Sequence, residues 1–229
     1  MVQQKNMNLQ NLGSKILNMK QGMLLFLFLT ISVLVRSKQK FGLDLGIGLK
    51  AGMTLNHVNG YGWQDVYKVN PNAGFFANLN KRRIGIQVEA LWSQSTMVTD
   101  TSFYGVYAQF YRNIEDSLIN GSFKFQTIAI PILVNLKLTQ FLWIQLGPQF
   151  SSNVSVLDKN KILKSGIEVI SQNSYDVIGG LWVQFGGKSP LLRVNAGIRY
   201  IWGISNINNL IRERSWTNQM IQLHVGISY

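Results

Sequence analysis

Ile221-Gln222-Leu223-His224-Val225-Gly226-Ile227-Ser228-Tyr229 decides how this chain folds, because apolar residues alternate with small or polar ones through it without a break. Successive side chains on a strand point to opposite faces. Ile221, Leu223, Val225, Ile227 and Tyr229 therefore share an apolar face, and Gln222, His224, Gly226 and Ser228 take the other. Such a face turns either to a protein core or to lipid, and the rest of the sequence chooses between them.

Seven further runs of the same kind precede it, at residues 43–56, 72–80, 83–95, 123–138, 142–156, 175–186 and 191–204. In the first, Leu45, Ile47, Leu49, Ala51, Met53 and Leu55 oppose Asp44, Gly46, Gly48, Lys50, Gly52 and Thr54. In the fourth, Ile128, Ile130, Ile132, Val134, Leu136 and Leu138 oppose Thr127, Ala129, Pro131, Leu133, Asn135 and Lys137. The links after the second, fourth and sixth runs are short: Lys81-Arg82, Thr139-Gln140-Phe141 and Gly187-Lys188-Ser189-Pro190. Those after the first, third, fifth and seventh are long, roughly 58–69, 96–122, 157–174 and 205–218. Short turns alternating with long loops are characteristic of transmembrane barrels, whose turns face the periplasm. The pattern predicts an all-β, eight-stranded, antiparallel up-and-down transmembrane barrel in the outer membrane of a Gram-negative bacterium, with both termini periplasmic.

A soluble lipocalin-like barrel shares the strand count but turns its apolar face inward. Charge placement separates the two readings. One face carries Asp44, Lys50, Glu89, Lys137, Asp176, Arg193 and Arg199, mixed in sign, while the other is nearly uncharged in every run. A wall facing water needs many more charges, so the uncharged face is assigned to lipid. Trp92, Tyr200 and Trp202 near the long-loop ends, with Phe141 and Tyr229 at the other, suit two interfacial aromatic belts.

Composition agrees: 46% of residues are hydrophobic, 21 are Gly and only 14% are charged, against ~25% in ordinary soluble domains. The net charge of +12 does not point to nucleic acid, since residues 1–40 hold Lys5, Lys15, Lys20, Arg36, Lys38 and Lys40 without an acid. Half of the excess leaves with that segment, and no basic cluster remains. Met19-Lys20-Gln21 followed by the apolar stretch 22–35 reads as a secretory signal with cleavage after Ser37, translation starting at Met1 or Met19. A transmembrane helix is the other reading, but the apolar run of about 13 residues falls short of the ~20 a bilayer needs. The expected organisation is a signal peptide over 1–37 and a barrel over 38–229. The absence of Cys excludes an acylated-Cys anchor, disulfides and thiolate metal sites.

No motif in the chain carries the spacing of a cofactor site or a catalytic group. Gly46-Ile47-Gly48-Leu49-Lys50-Ala51-Gly52 is not a dinucleotide loop, because the glycine spacing is wrong and no helix follows. His57 and His224 lie far apart on their strands, and no Ser, His and acid fall together. No catalytic, cofactor or metal residue is therefore assigned. Glu89 points inward with Lys50, Lys137, Arg193 and Arg199, and eight strands leave a lumen just filled by side chains. The expected role of Asp44, Lys50, Glu89, Lys137, Asp176, Arg193 and Arg199 is a structural charge network, with an ion or proton relay as the other reading. Pro131 removes a ladder donor and is expected to mark a bulge or irregularity. In the third-to-fourth-run loop, Phe103, Tyr104, Tyr107, Phe110 and Tyr111 form a contact surface for another protein or polysaccharide, or else pack over the barrel mouth.

The ordered set 48–55, 73–77, 87–93, 128–133, 146–150 and 199–207 resembles the PorT-like, outer membrane protein β-barrel proteins of the Bacteroidetes. Its segments include Gly48-Leu49-Lys50-Ala51-Gly52-Met53-Thr54-Leu55 and Leu146-Gly147-Pro148-Gln149-Phe150. Ala90 and Trp92 depart from the family's more usual Pro and Tyr. The resemblance covers roughly 46–229 and implies a small outer-membrane barrel. For its founding member it implies a part in protein secretion. Tyr229 resembles the terminal aromatic of the barrel sorting signal, which implies the barrel-assembly machinery as a partner, besides outer-membrane lipid and a secretion or envelope protein. The expected function is a non-enzymatic barrel that is structural or accessory to secretion or envelope assembly. The alternative is a lipid-modifying or hydrolytic enzyme with its site at the extracellular rim.

Overall fold

The computed structural model describes residues 43–112, 121–161, 169–185, 192–211 and 214–229. The expected signal segment over 1–37, the turn at 187–190, residue 186 of the sixth run and residue 191 of the seventh lie outside them. The chain divides into two compact units, Met1–Leu45, of which residues 43–45 are described, and Gly46–Tyr229.

The strands are β1 (Asp44–Asn59), β2 (Lys68–Lys81), β3 (Ile84–Val98), β4 (Ser122–Lys137), β5 (Leu142–Asp158), β6 (Asn173–Phe185), β7 (Arg193–Gly203) and β8 (Thr217–Ser228). A short helix, α1 (Ser102–Tyr107), and a single 3₁₀ turn over Ala108–Phe110 lie between β3 and β4. Each strand pairs antiparallel with the next, and β8 returns to β1 in a register running from Gly48↔Ser228 to Asn59↔Thr217. Closure leaves no free sheet edge, so every ladder donor has a neighbour strand.

Alternation sets the faces. On β8, Leu223, Val225 and Ile227 are exposed while Gln222, His224 and Ser228 are buried. On β4, Ile128, Ile130, Ile132, Val134 and Leu136 are exposed and Asn135 is fully buried. The molecule is apolar outside and largely polar inside, the reverse of a soluble barrel. A continuous apolar wall of this kind far exceeds the patches that soluble monomers tolerate, and lipid is the solvent it fits.

Most strands run further toward the long loops than alternation shows. β1 continues to Asn59, β3 to Val98 and β5 to Asp158, while β2 starts at Lys68 and β8 at Thr217. Beyond the lipid the outer face no longer needs apolar residues. Gln94, Lys124, Gln126 and Ser155 stand there, and the period-two signal fades although the ladder persists.

The irregularity expected at Pro131 takes another form. The bulge lies at Gln126/Thr127, where the β5 partners jump from Ser155 to Asn153 and leave Val154 as the additional residue. At Pro131 the register does not shift. The β3–β4 pairs run to Val88↔Ile132 and resume at Leu91↔Ala129 in the same register, because proline has no N–H to offer β3.

Candidate functional site

Three buried charged side chains meet inside the barrel. Lys50 on β1 and Arg199 on β7 converge on the Glu89 carboxylate of β3, and all three are at most 5% exposed. Lys50 Nζ lies 2.7 Å from Glu89 Oε1. Arg199 engages the carboxylate through both terminal nitrogens, Nη1 to Oε2 at 2.8 Å and Nη2 to Oε1 at 2.6 Å. This fork is the geometry in which guanidinium and carboxylate interact most strongly.

Neutral amides extend the knot around the wall. Arg199 Nε and Nη2 donate to Gln145 Oε1 at 3.1 and 2.9 Å. Gln145 Nε2 donates to Asn135 Oδ1 at 3.0 Å, Asn135 Nδ2 donates to Gln87 Oε1 at 3.2 Å, and Gln87 Nε2 donates to Glu89. Lys50 Nζ also sits 5.3 Å above the Phe76 ring, which packs against Trp182. Strands β1, β3, β4, β5 and β7 are thus tied across the lumen through one carboxylate. Gln87, Asn135 and Gln145 escape a reading based on charge alone, although their parity on β3, β4 and β5 already places them inward.

Of the other expected members of the network, Asp176 and Lys137 find partners outside this knot. Asp176 is buried on β6, where its Oδ2 accepts from Gln149 Nε2 at 2.9 Å and Ser151 Oγ at 3.1 Å. Lys137 is half-buried with Nζ 5.3 Å above the Trp143 ring. Asp44 and Arg193 are the first residues of β1 and β7 and are half-buried. His224 is buried on the inner face of β8. A Cβ at Gly197 would fall 2.6 Å from its ring, so the close approach requires glycine there.

At the long-loop end the lumen is filled by an aromatic plug. Trp63, Phe103, Tyr107, Tyr111, Phe123, Phe125 and Trp216 form its buried core with Val58, Met97, Val169, Ile170 and Ile207. Trp63 meets Trp216 at 5.0 Å, Phe103 at 5.5 Å and Phe123 at 5.9 Å between ring centroids, all edge-on. Asp100 Oδ1 opens α1 by accepting from the Ser102 and Phe103 backbone N–H groups. Asn208 Nδ2 donates to the Tyr107 hydroxyl at 3.0 Å and to the Arg214 carbonyl at 2.6 Å, joining the β7–β8 loop to α1. Burial raises the Tyr107 hydroxyl above its ordinary pKa.

Of the two readings of the loop aromatics, this arrangement is the one in which they pack over the barrel mouth. Phe103, Tyr107 and Tyr111 are buried, while Tyr104 and Phe110 are half-buried against them. Large aromatic faces above a mouth gain more from mutual burial than from water, so they pack over it. Tyr61 is exposed beside them, with the Arg214 guanidinium 5.0 Å above its ring. His57 Nε2 lies 2.8 Å from Asp65 Oδ1 at the same end, and its Nδ1 has no partner among the described residues. No group of three or more His, Cys, Asp or Glu among the described residues is placed to hold a metal ion.

The profile of the outer membrane protein beta-barrel domain family matches residues 29–209. Among solved structures, the chain is similar to Neisserial surface protein A (NspA), with 13% identity, 81% of this chain and 97% of that one covered, and a TM-score of 0.48. It is also similar to OprG of Pseudomonas aeruginosa, with 10% identity, 80% and 95% covered, and a TM-score of 0.47. A third is the attachment invasion locus protein Ail of Yersinia pestis, solved with the heparin analogue sucrose octasulfate, with 10% identity, 81% and 99% covered, and a TM-score of 0.42. No curated protein matches the chain. The family match spans well over half of the sequence, and the closed barrel with its lipid-facing wall is the architecture that match implies: the chain belongs to the outer membrane protein beta-barrel domain family.

Proposed function

We propose that this protein is a sealed, non-enzymatic outer-membrane barrel that works as an accessory subunit of protein secretion or envelope assembly, as its PorT-like resemblance implies. The observation that carries this reading is the Lys50–Glu89–Arg199 knot across the lumen, reinforced by the aromatic plug above it. A barrel without a conduit acts through its surfaces: the lipid-facing wall, the long loops and the end that holds the termini. Tyr229 is then the sorting residue read by the barrel-assembly machinery, and both termini lie in the periplasm. The rim holds a His57–Asp65 contact, and among the described residues no hydroxyl is hydrogen-bonded to His57 Nδ1 as a hydrolase's nucleophile would be.

Site-specific photo-crosslinking in native outer membranes tests the proposal. A photoreactive residue at Tyr61, on the exposed loop face, is expected to capture one secretion or assembly component reproducibly. The same residue at Ile130 on the lipid-facing wall is expected to capture lipid. Lipid hydrolysis by the purified barrel, with no protein captured at either position, would favour the enzyme reading instead.

A further inference from the structure

We propose that the β2–β3 turn and the wall beside it bind an anionic glycerophospholipid, with the phosphate on Lys81, Arg82 and Arg83 and the acyl chains along the outer faces of β3 and β4. The three basic residues are consecutive and exposed. Their side chains have no hydrogen-bond or ion-pair partner among the described residues, whereas Lys50 and Arg199 are committed to Glu89. No acid stands in 79–86 or 135–144, the stretches that meet at this end of the sheet. Lys137, whose backbone N–H donates to the Arg83 carbonyl at 2.8 Å, adds a fourth positive charge there.

The backbone of the turn carries a second sign. Lys81 pairs with Ile84, so Arg82 and Arg83 form a two-residue turn, and Arg82 takes a φ of 56°. A positive φ at the first position of such a turn is the place of glycine, so the arginine is held there against its own backbone preference. Residues kept in sparsely populated backbone regions cluster at binding sites. An arginine in that place offers a phosphate a planar fork of donors.

The wall selects a lipid over an acidic protein as the occupant. Lys81, Ile84 and Leu136 are partners in one row across β2, β3 and β4, with Ile84 60% and Leu136 37% exposed. Leu138 and Phe141 continue the exposed apolar surface past the end of β4. Basic side chains at the margin of such a wall hold their charge at headgroup depth while their stems lie on hydrocarbon. A glycerophospholipid of net negative charge matches both parts.

The test is native mass spectrometry of the full barrel, released from neutral detergent in the presence of equal amounts of dilauroyl phosphatidylglycerol and dilauroyl phosphatidylcholine. Adducts of the anionic lipid are expected to exceed those of the zwitterionic one roughly tenfold at low salt. Combining Lys81→Gln, Arg82→Gly and Arg83→Gln should bring the two lipids level, and glycine at position 82 suits the turn backbone. Lys159→Gln with Lys161→Gln, at exposed positions beyond β5, should keep the wild-type preference. Equal adducts from the wild-type protein would overturn the proposal and leave the turn to an acidic protein segment. A preference that survives the turn substitutions, or that is lost with the two loop substitutions, would overturn it as well. The wild-type comparison decides alone if the turn variant fails to fold.

Discussion

Glu89 is the single anion between two buried cations, so the loss of its charge has a definite sign. Glu89→Gln leaves Lys50 and Arg199 facing each other without a counter-charge, and breaking a buried pair in this way costs about 3–5 kcal/mol. Urea unfolding in micelles should show a loss of that order. Lys50→Met is expected to cost less, because the Arg199 fork on Glu89 survives it. Tyr107 gives a pH effect at the same scale. Its hydroxyl is held above the ordinary value of 10.0 in the folded plug. Between the unfolded and folded values the folded plug therefore binds more protons, so its stability falls as pH rises through that range. Proteolytic resistance of the 96–112 segment, followed as pH is raised past 10, should decline in the wild-type protein and change less in Tyr107→Phe.

The strands and the loop segments depend on different contacts, and single substitutions should separate them. Trp216 touches Trp63, Phe103 and Tyr107, and its Nε1 donates to the Tyr61 carbonyl at 3.2 Å. Trp216→Ala empties the centre of the plug, a change worth about 3–5 kcal/mol of local stability. Protease should then cut the long loops while the barrel keeps its heat-resistant gel mobility; loops as resistant as wild type would show that the plug is not cohesive. The seam between β1 and β8 is the other sensitive element. A Cβ at Gly52 would sit 1.9 Å from the Leu223 carbonyl oxygen, so Gly52→Val should block closure and lower the folded yield in vitro. Tyr229 is 69% exposed and lies past the last residue of β8. Tyr229→Ala should refold normally in detergent yet reach the outer membrane poorly in cells, because its proposed role is recognition rather than packing.

At the scale of the molecule, the fold was legible wherever lipid imposed its demand on side chains. The apolar positions of β4 and β8 alternate because each must face hydrocarbon, and that alternation identifies both strand and face. The signal ends where the wall leaves the lipid, which is why alternation does not show the outer extensions of β1, β2, β3, β5 and β8. The site was legible only in its charges. Lys50, Glu89 and Arg199 share the inner parity, but which inward charges meet depends on strand tilt and stagger, which sequence spacing does not encode. Asp176 and Lys137 share that parity and still find other partners. The plug stayed hidden because its residues come from four separate loops and strand ends. Phe123 and Phe125, apolar at inward positions of β4, were the local sign of it.

The central claim is that the lumen is sealed by a salt-bridged knot and an aromatic plug, and conductance of the purified barrel in planar bilayers tests it most directly. The wild-type protein should insert without stable channel openings, and Glu89→Gln should remain silent although less stable. Steady, ohmic single-channel conductance from the wild-type barrel would contradict the account.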